Sequence, residues 1–121
     1  MKDTILIVDD SEIARILLKS NFNKRYPSIN TLLAENAEQA RSILDKHSIA
    51  LITIDLNMPD SNGLDLAIEI KQKGFDHPIV IITANIQNSV KFKVEKSGFY
   101  FLEKPIGKNT VDKIISILEK K

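Results

Sequence analysis

Five short apolar runs alternate along the chain with stretches in which apolar residues recur every three or four positions. The runs are bounded by turn residues and are too short for typical helices, so they predict strands over residues 4–8, 29–34, 49–54, 79–82 and 99–102. The stretches between them predict helices over 12–25, 36–47, 64–73, 87–97 and around 111–118. The fourth of these helices has the fewest apolar positions at helical spacing.

Strict alternation of strand and helix requires parallel strands, and right-handed crossovers then place helices on both faces of one sheet. We therefore predict the α/β class with a doubly wound, five-stranded parallel sheet. Five strands suit the flavodoxin-like order 2-1-3-4-5. A chain of 121 residues buries about two-thirds of its unfolded surface, so we expect residues 1–121 to form one domain.

Polar residues and glycines mark the ends of these elements. The first helix, in which Ile13, Ile16 and Leu17 recur at helical spacing, is preceded by Asp10 and Ser11, and either side chain can cap it. Residues 59–63 form a turn cluster in which Gly63 is free to take positive φ. Gly74 is expected to end the third helix in the same way.

The composition excludes several classes of protein. With 43% hydrophobic and 27% charged residues, the chain is globular and contains no apolar stretch long enough to cross a bilayer, and its N-terminus does not resemble a signal peptide. A cytoplasmic location and no membrane insertion are the expectations. A net charge of +1 argues against direct nucleic-acid binding. The absence of cysteine excludes thiol catalysis and the commonest structural zinc ligands.

Four of the predicted strands are followed by residues that carry chemistry. These are Asp9 and Asp10 after the first strand, Asp55 after the third, Thr83 after the fourth and Lys104 after the fifth. The carboxyl ends of parallel strands share one edge, where open α/β sheets bind their ligands. We therefore expect all five side chains around one shallow pocket.

Carboxylates brought together at such an edge repel one another by about 1 to 4 kcal/mol per pair at 4 Å. Without histidine or cysteine at these positions, an all-oxygen site remains, and it favours Mg²⁺ over a transition metal. A carboxylate beside Mg²⁺ can also attack phosphorus. The Thr83 hydroxyl and the Lys104 ammonium would then stabilise the phosphoryl oxygens.

The chain resembles the CheY-like receiver domains of response regulators in two-component signalling. The resemblance covers essentially the whole chain, and its motifs are IVDDS at 7–11, IDLNMP at 54–59 with Gly63, ITA at 82–84 and LEKPI at 102–106. It implies that Asp55 accepts a phosphoryl group from a histidine kinase or histidine phosphotransfer protein. It also implies that Asp10, Asp55 and the backbone carbonyl of Asn57 bind Mg²⁺, with Asp9 acting through water.

The resemblance further implies how a signal leaves the site. Thr83 would move toward the phosphoryl group, Lys104 would pair with it, and Phe101 would change rotamer together with Thr83. A cis bond before Pro105 is implied as well. The 87–97 helix, the fifth strand and the last helix would then bind a downstream effector, and the lysines of this region favour an acidic partner. Phe101 departs from the family pattern, which often has tyrosine there.

Two alternatives remain at this point. A small phosphatase of the haloacid-dehalogenase type also uses an aspartate after a parallel strand with Mg²⁺, but its usual second aspartate is replaced here by Asn57. A phosphorylation-independent interaction module is the other. The function implied by the resemblance to receiver domains is that of a non-enzymatic switch without its own output domain. We expect such a switch to be either a monomer or a phosphorylation-dependent dimer.

Overall fold

Five parallel strands form the centre of the fold in a computed structural model that describes residues 3–59 and 61–120. The strands are β1 (Thr4–Val8), β2 (Asn30–Ala34), β3 (Leu51–Asp55), β4 (Ile79–Thr83) and β5 (Tyr100–Glu103). Their order in the sheet is β2-β1-β3-β4-β5, and every neighbouring pair is parallel. The predicted class and strand order are confirmed.

Five helices cover the two faces of this sheet. They are α1 (Glu12–Arg25), α2 (Ala37–Lys46), α3 (Gly63–Gln72), α4 (Asn88–Lys96) and α5 (Lys108–Glu119). Alternate strand residues point to opposite faces. Accordingly, Leu6 and Ile52 pack with α2, α3 and α4, whereas Ile5 and Val80 pack with α1 and α5.

The strand ends differ from the predicted ones in a way that matters for the pocket. β3 begins at Leu51 rather than at residue 49 and includes Asp55, and β4 includes Thr83. Both side chains are therefore carried by hydrogen-bonded strand backbone. The predicted turn at 59–63 contains a short antiparallel pairing of Asn57–Met58 with Ser61–Asn62; residue 60 of this predicted turn lies outside the described residues.

The apolar residues that mark α1 in the sequence lie on its exposed side. Ile13 is 73% exposed and Leu17 is 43% exposed, whereas Ala14, Leu18 and Phe22 are buried. The second set has i, i+4 spacing, and its Leu18 and Phe22 pack with α5 and the sheet. An apolar face therefore remains uncovered on α1.

Gly63 does not take the positive φ that its lack of a side chain would allow. Among the described residues, positive φ occurs only at Gly74, which ends α3 as expected, and at Gly98. Gly63 is instead the first residue of α3 and lies against the end of β3, where a β-carbon would stand 2.1 Å from the carbonyl oxygen of Asp55. Position 63 therefore requires glycine because there is no space for a side chain beside the backbone of Asp55.

Helix caps follow the sequence closely. Of the two candidates before α1, Ser11 provides the cap, since its hydroxyl accepts a hydrogen bond from the Ala14 N–H at 3.2 Å. The Asn36 side chain caps α2 by accepting from the Gln39 N–H. Across the described parts of the chain, the helices are too short or too polar to cross a lipid bilayer.

Candidate functional site

Three carboxylates meet at the carboxyl end of the sheet. Asp9 and Asp10 follow β1, and Asp55 ends the neighbouring strand β3, with Val8 paired to Ile54 in the register. One carboxylate oxygen from each residue lies within 4.8 Å of the other two. Asp9 and Asp55 are buried, while Asp10 is exposed. The structure thus brings together the acids that the sequence predicts to be neighbours.

Lys104 supplies the positive charge at this cluster. Its Nζ lies 3.1 Å from Asp9 Oδ2 and 3.7 Å from Asp55 Oδ2, and the side chain is 23% exposed. The Lys104 N–H donates to the Thr83 carbonyl oxygen at 3.0 Å, which continues the β4–β5 pairing past its last residue. The bond to Pro105 is cis, as the resemblance implies. The hydrogen bond to Thr83 therefore places Lys104 at the end of β5, beside the acids.

The environment of Asp55 favours its protonated form. Burial, followed by the negative charge of Asp9, raises the pKa of Asp55 from 3.8 to about 6. The Lys104 charge and a hydrogen bond from the Asn57 backbone lower this pKa and offset part of the increase. At neutral pH the carboxylate is therefore mostly ionised, but its charge is poorly solvated. A cation placed beside such a carboxylate stabilises its ionised form.

Thr83 lies beside this cluster with its hydroxyl already bonded. It is completely buried, and its Oγ1 accepts hydrogen bonds from the Asn85 N–H at 3.1 Å and from Asn57 Nδ2 at 3.5 Å. The hydroxyl proton remains available for donation, since both of these contacts use the oxygen as an acceptor. Asn57 and Asn85, which the sequence places two residues after Asp55 and Thr83, thus both touch Thr83.

Phe101 lies in the middle of β5, opposite Ile81 of β4. Its ring is partly buried and packs against the core between the sheet and helices α2 to α4. The residue next to it, Tyr100, is 40% exposed. The position of Phe101 beside β4 is compatible with the predicted coupling to Thr83, and its change of rotamer stays a prediction.

The residues at this edge fit a magnesium ion by their chemistry. All the candidate side-chain ligands are carboxylate oxygens, the donors that Mg²⁺ prefers. Exposed Asp10 leaves the group open on one side, as suits an ion that keeps several of its waters. The Asn57 carbonyl, which the resemblance implies as a further ligand, stays a prediction.

Two further features of the site have no signal in the sequence. Arg15 of α1 donates from Nη1 to the carbonyl oxygen of Asp9 and lies 3.8 Å from Glu35. The exposed face of α1 also borders the pocket: a shallow concavity of about 440 Å³ is lined mainly by apolar groups and reaches Lys104. Its apolar lining includes Ile13, Leu17 and Ile106. Only the tertiary structure places these groups beside the acids.

Comparisons with known proteins agree with this geometry. The response regulator receiver domain family matches residues 5–116. Chemotaxis protein CheY of Bacillus subtilis (strain 168) is 31% identical over 121 residues, which cover 99% of this chain and 98% of that protein. The autoinducer 1 sensor kinase/phosphatase LuxN of Vibrio campbellii is also 31% identical, over 93% of this chain but only 13% of its own length. This chain therefore spans a small part of LuxN.

A solved structure supports the same fold. The signal receiver domain of a putative Luxo repressor protein from Vibrio parahaemolyticus has a TM-score of 0.89 with this chain and 24% sequence identity. The superposition covers 99% of this chain and 92% of that one. Receiver domains are in general non-enzymatic signalling switches that bind Mg²⁺ in an acidic pocket and interact with histidine kinases and effectors. The chain belongs to the response regulator receiver domain family of two-component signalling.

Proposed function

We propose that this receiver domain is a phosphorylation-controlled switch in which Asp55 accepts a phosphoryl group from a phosphohistidine. The observation that carries the proposal is the meeting of Asp9, Asp10 and Asp55 with Lys104 at one edge of the sheet. An Asp55 carboxylate oxygen attacks phosphorus, the P–N bond breaks, and the imidazole leaves. A magnesium ion held by Asp10 and Asp55, with Asp9 and Asn57 in support, supplies charge neutralisation when bound.

The side chains around Asp55 have separate roles in this proposal. Lys104 lies close enough to Asp55 to pair with a phosphoryl oxygen after a small change of rotamer. Thr83 retains a hydroxyl proton for a second oxygen. Two charge-assisted contacts of this kind stabilise the modified state, in which Lys104 exchanges part of its pairing with the acids for pairing with the phosphoryl group. The haloacid-dehalogenase alternative needs a general acid at Asn57, and an amide cannot act as one.

The bonds of Thr83 suggest how the signal leaves the site. The Asn85 N–H is bonded to the Thr83 hydroxyl, so a movement of Thr83 toward the phosphoryl group pulls on the segment that leads into α4. α4 offers little resistance, because Val94 is its one buried residue and Gln87 provides no side-chain cap. A shift from 1:99 to 99:1 requires that phosphorylation favour the active state by about 5.5 kcal/mol.

The surface formed by α4, β5 and α5 is the proposed output surface. It carries the exposed apolar residues Phe92 at 65% and Tyr100 at 40%, and Ile86, in the loop before α4, is 61% exposed. Exposed Lys91 and Lys93 flank Phe92, and Lys96 Nζ lies 5.6 Å from the centre of the Phe92 ring. An exposed aromatic ring flanked by lysines fits an effector that presents apolar side chains together with acidic ones.

The uncovered face of α1 is the proposed docking surface for the phosphoryl donor. Ile13 and Leu17 line the same concavity as Lys104, so a protein that covers this face is adjacent to the acids. A histidine kinase or phosphotransfer protein has to bring its imidazole to Asp55 while excluding water from the transfer. An apolar surface continuous with the pocket meets both needs. Donor and effector then use different surfaces of the domain.

Labelling by a small phosphodonor tests the proposal directly. Radiolabelled acetyl phosphate with Mg²⁺ should give wild-type protein a label that hydroxylamine removes, as expected for an acyl phosphate. Asp55→Asn should acquire none, whereas Asp45→Asn, which changes an exposed aspartate of α2, should label like the wild type. Circular dichroism verifies that each variant is folded. Label on Asp55→Asn would contradict the assignment of the acceptor.

A further inference from the structure

Arg15 is a nearly buried cation directly behind the acidic pocket. Its side chain is 12% exposed, although Ile16, the next residue of α1, is 53% exposed. Nη1 donates to the carbonyl oxygen of Asp9, and Nη2 lies 3.8 Å from Glu35 Oε2. The guanidinium thus joins α1 to the ends of β1 and β2.

Every polar atom of Asp9 is engaged. Its N–H donates to the Ala34 carbonyl at 3.0 Å, its Oδ1 accepts from the Ser11 N–H at 2.9 Å, and its Oδ2 pairs with Lys104. The bond from Arg15 uses the remaining group, the main-chain carbonyl. That carbonyl belongs to the planar peptide between Asp9 and Asp10, so its direction sets the direction in which the chain enters Asp10.

The position of the Asp10 carboxylate depends on the direction of this peptide. That carboxylate is exposed, and it forms no hydrogen bond or ion pair with residues 3–59 or 61–120. It nevertheless lies within the group formed with Asp9 and Asp55. Since no side-chain partner from these ranges holds Asp10 in place, the backbone that carries it has to do so.

We propose that Arg15 is a positioning residue for the acidic site: by holding the Asp9–Asp10 peptide, it directs the Asp10 carboxylate toward Asp55. The inference rests on the proposed role of these acids in cation binding. Groups outside the direct ligands commonly set the orientation of the ligands, and losing one typically weakens metal binding by about 10- to 100-fold. Arg15 would orient the Asp10 carboxylate through the main chain.

The positive charge of Arg15 lowers the affinity of the site for a cation, whereas its hydrogen bond to the peptide is proposed to raise that affinity. The two effects have opposite signs, so an experiment can separate them. A cation near the acids opposes the binding of a second cation, so a role based on charge alone predicts that neutral variants bind Mg²⁺ more tightly. Glu35 partly neutralises the guanidinium without touching the Asp9 carbonyl. Its removal therefore changes the charge and leaves the bond to the peptide in place.

The experiment is a calorimetric titration of Mg²⁺ into metal-free protein. Arg15→Met, which preserves the buried alkyl chain, should bind Mg²⁺ about ten-fold more weakly than wild type. Arg15→Lys, which retains a donor of similar reach, should recover most of the affinity, and Glu35→Gln should stay within about two-fold of wild type. NMR spectra without metal should show a displaced Asp10 amide signal in Arg15→Met only.

Unchanged or tighter Mg²⁺ binding by folded Arg15→Met would overturn the inference, as would an undisplaced Asp10 amide. If that variant does not fold, Arg15→Gln replaces it in the same titration. Failure here is distinguishable from failure of the proposed function, because labelling of wild-type protein by acetyl phosphate does not depend on any Arg15 variant. Wild type labelled on Asp55, together with normal Mg²⁺ binding by Arg15→Met, refutes only the role of Arg15.

Discussion

Gly63 lies directly against the main chain of Asp55. A β-carbon at position 63 would stand 2.1 Å from the Asp55 carbonyl oxygen and 2.8 Å from the Leu56 Cα, and both are backbone atoms that cannot swing aside. The Gly63 N–H also donates to the Leu56 carbonyl at 2.8 Å. The first residue of α3 therefore lies directly against the backbone that carries Asp55.

Gly63→Ala should consequently displace the end of β3. We expect a loss of about 1 to 3 kcal/mol in the free energy of unfolding, since overpacking against backbone costs that much, together with slower labelling of Asp55 by acetyl phosphate. Gly107→Ala is the matched control, because a β-carbon there meets open space and φ is −157°. Urea unfolding compares the two variants, and a Gly63→Ala protein as stable as the control would contradict the close approach.

Asp55→Asn should stabilise the metal-free protein at neutral pH. The folded protein raises the pKa of Asp55 to about 6, so it holds this proton more tightly than the unfolded chain does. The resulting loss of stability grows as the pH rises from about 4 to 6 and is complete above pH 6. Asparagine avoids it, and we expect a gain of about 3 kcal/mol at pH 7.5 that disappears near pH 4.

Urea unfolding in EDTA across this pH range measures the difference. Asp45→Asn, at an exposed position of α2, provides the control, and its stability should follow that of wild type at every pH. A gain for Asp55→Asn that is equally large at pH 4 and pH 7.5 would show that ionisation of Asp55 is not its origin.

Lys104→Met should have opposite effects on stability and on cation binding. Without the ammonium at 3.1 Å from Asp9 and 3.7 Å from Asp55, two buried carboxylates lose their counter-charge, and we expect a loss of about 2 kcal/mol in EDTA. Mg²⁺ should bind the variant more tightly than wild type, because the ammonium no longer competes for the same oxygens. Saturating Mg²⁺ should then recover much of the lost stability.

Calorimetric titration and thermal unfolding with and without Mg²⁺ test both effects of this change. Lys46→Met, at an exposed position of α2, should leave both measurements unchanged. Weaker Mg²⁺ binding by Lys104→Met would mean that the lysine orders the acids more than it competes with the ion.

Ile13→Ser and Phe92→Ser should separate the two proposed docking surfaces. Both side chains are largely exposed, at 73% and 65%, so neither change should alter stability by more than about 0.5 kcal/mol. Ile13→Ser should slow phosphoryl transfer from a phosphohistidine protein about ten-fold while leaving labelling by acetyl phosphate intact. Phe92→Ser should leave both reactions intact and weaken effector binding. Equal transfer rates for the two variants would contradict donor docking on α1.

Much of the fold and the membership of the pocket can be predicted from the sequence, because both depend on local patterns. Strand and helix periods differ, so the alternation is readable, and parallel strands bring their carboxyl ends to one edge. Asp55 and Lys104 are predicted as neighbours on this argument alone, although 49 positions separate them along the chain. The structure places them together.

Other features depend on which surfaces meet, and no local pattern contains that information. In α1, Ile13 with Leu17 and Leu18 with Phe22 are both apolar pairs at helical spacing, and only the shape of the sheet and of α5 determines that the second pair is buried. Gly63 is required by the backbone of Asp55, which a turn motif does not reveal.

The sequence by itself determined the order of the elements and the chemical groups at the strand ends, because periodicity and spacing are properties of the chain alone, and its motifs carry the resemblance to receiver domains. The tertiary structure decided the uncovered face of α1, the bonds of Thr83 and the contact of Arg15 with Asp9. These features arise from close packing between distant segments, where differences of a few ångströms select the partner.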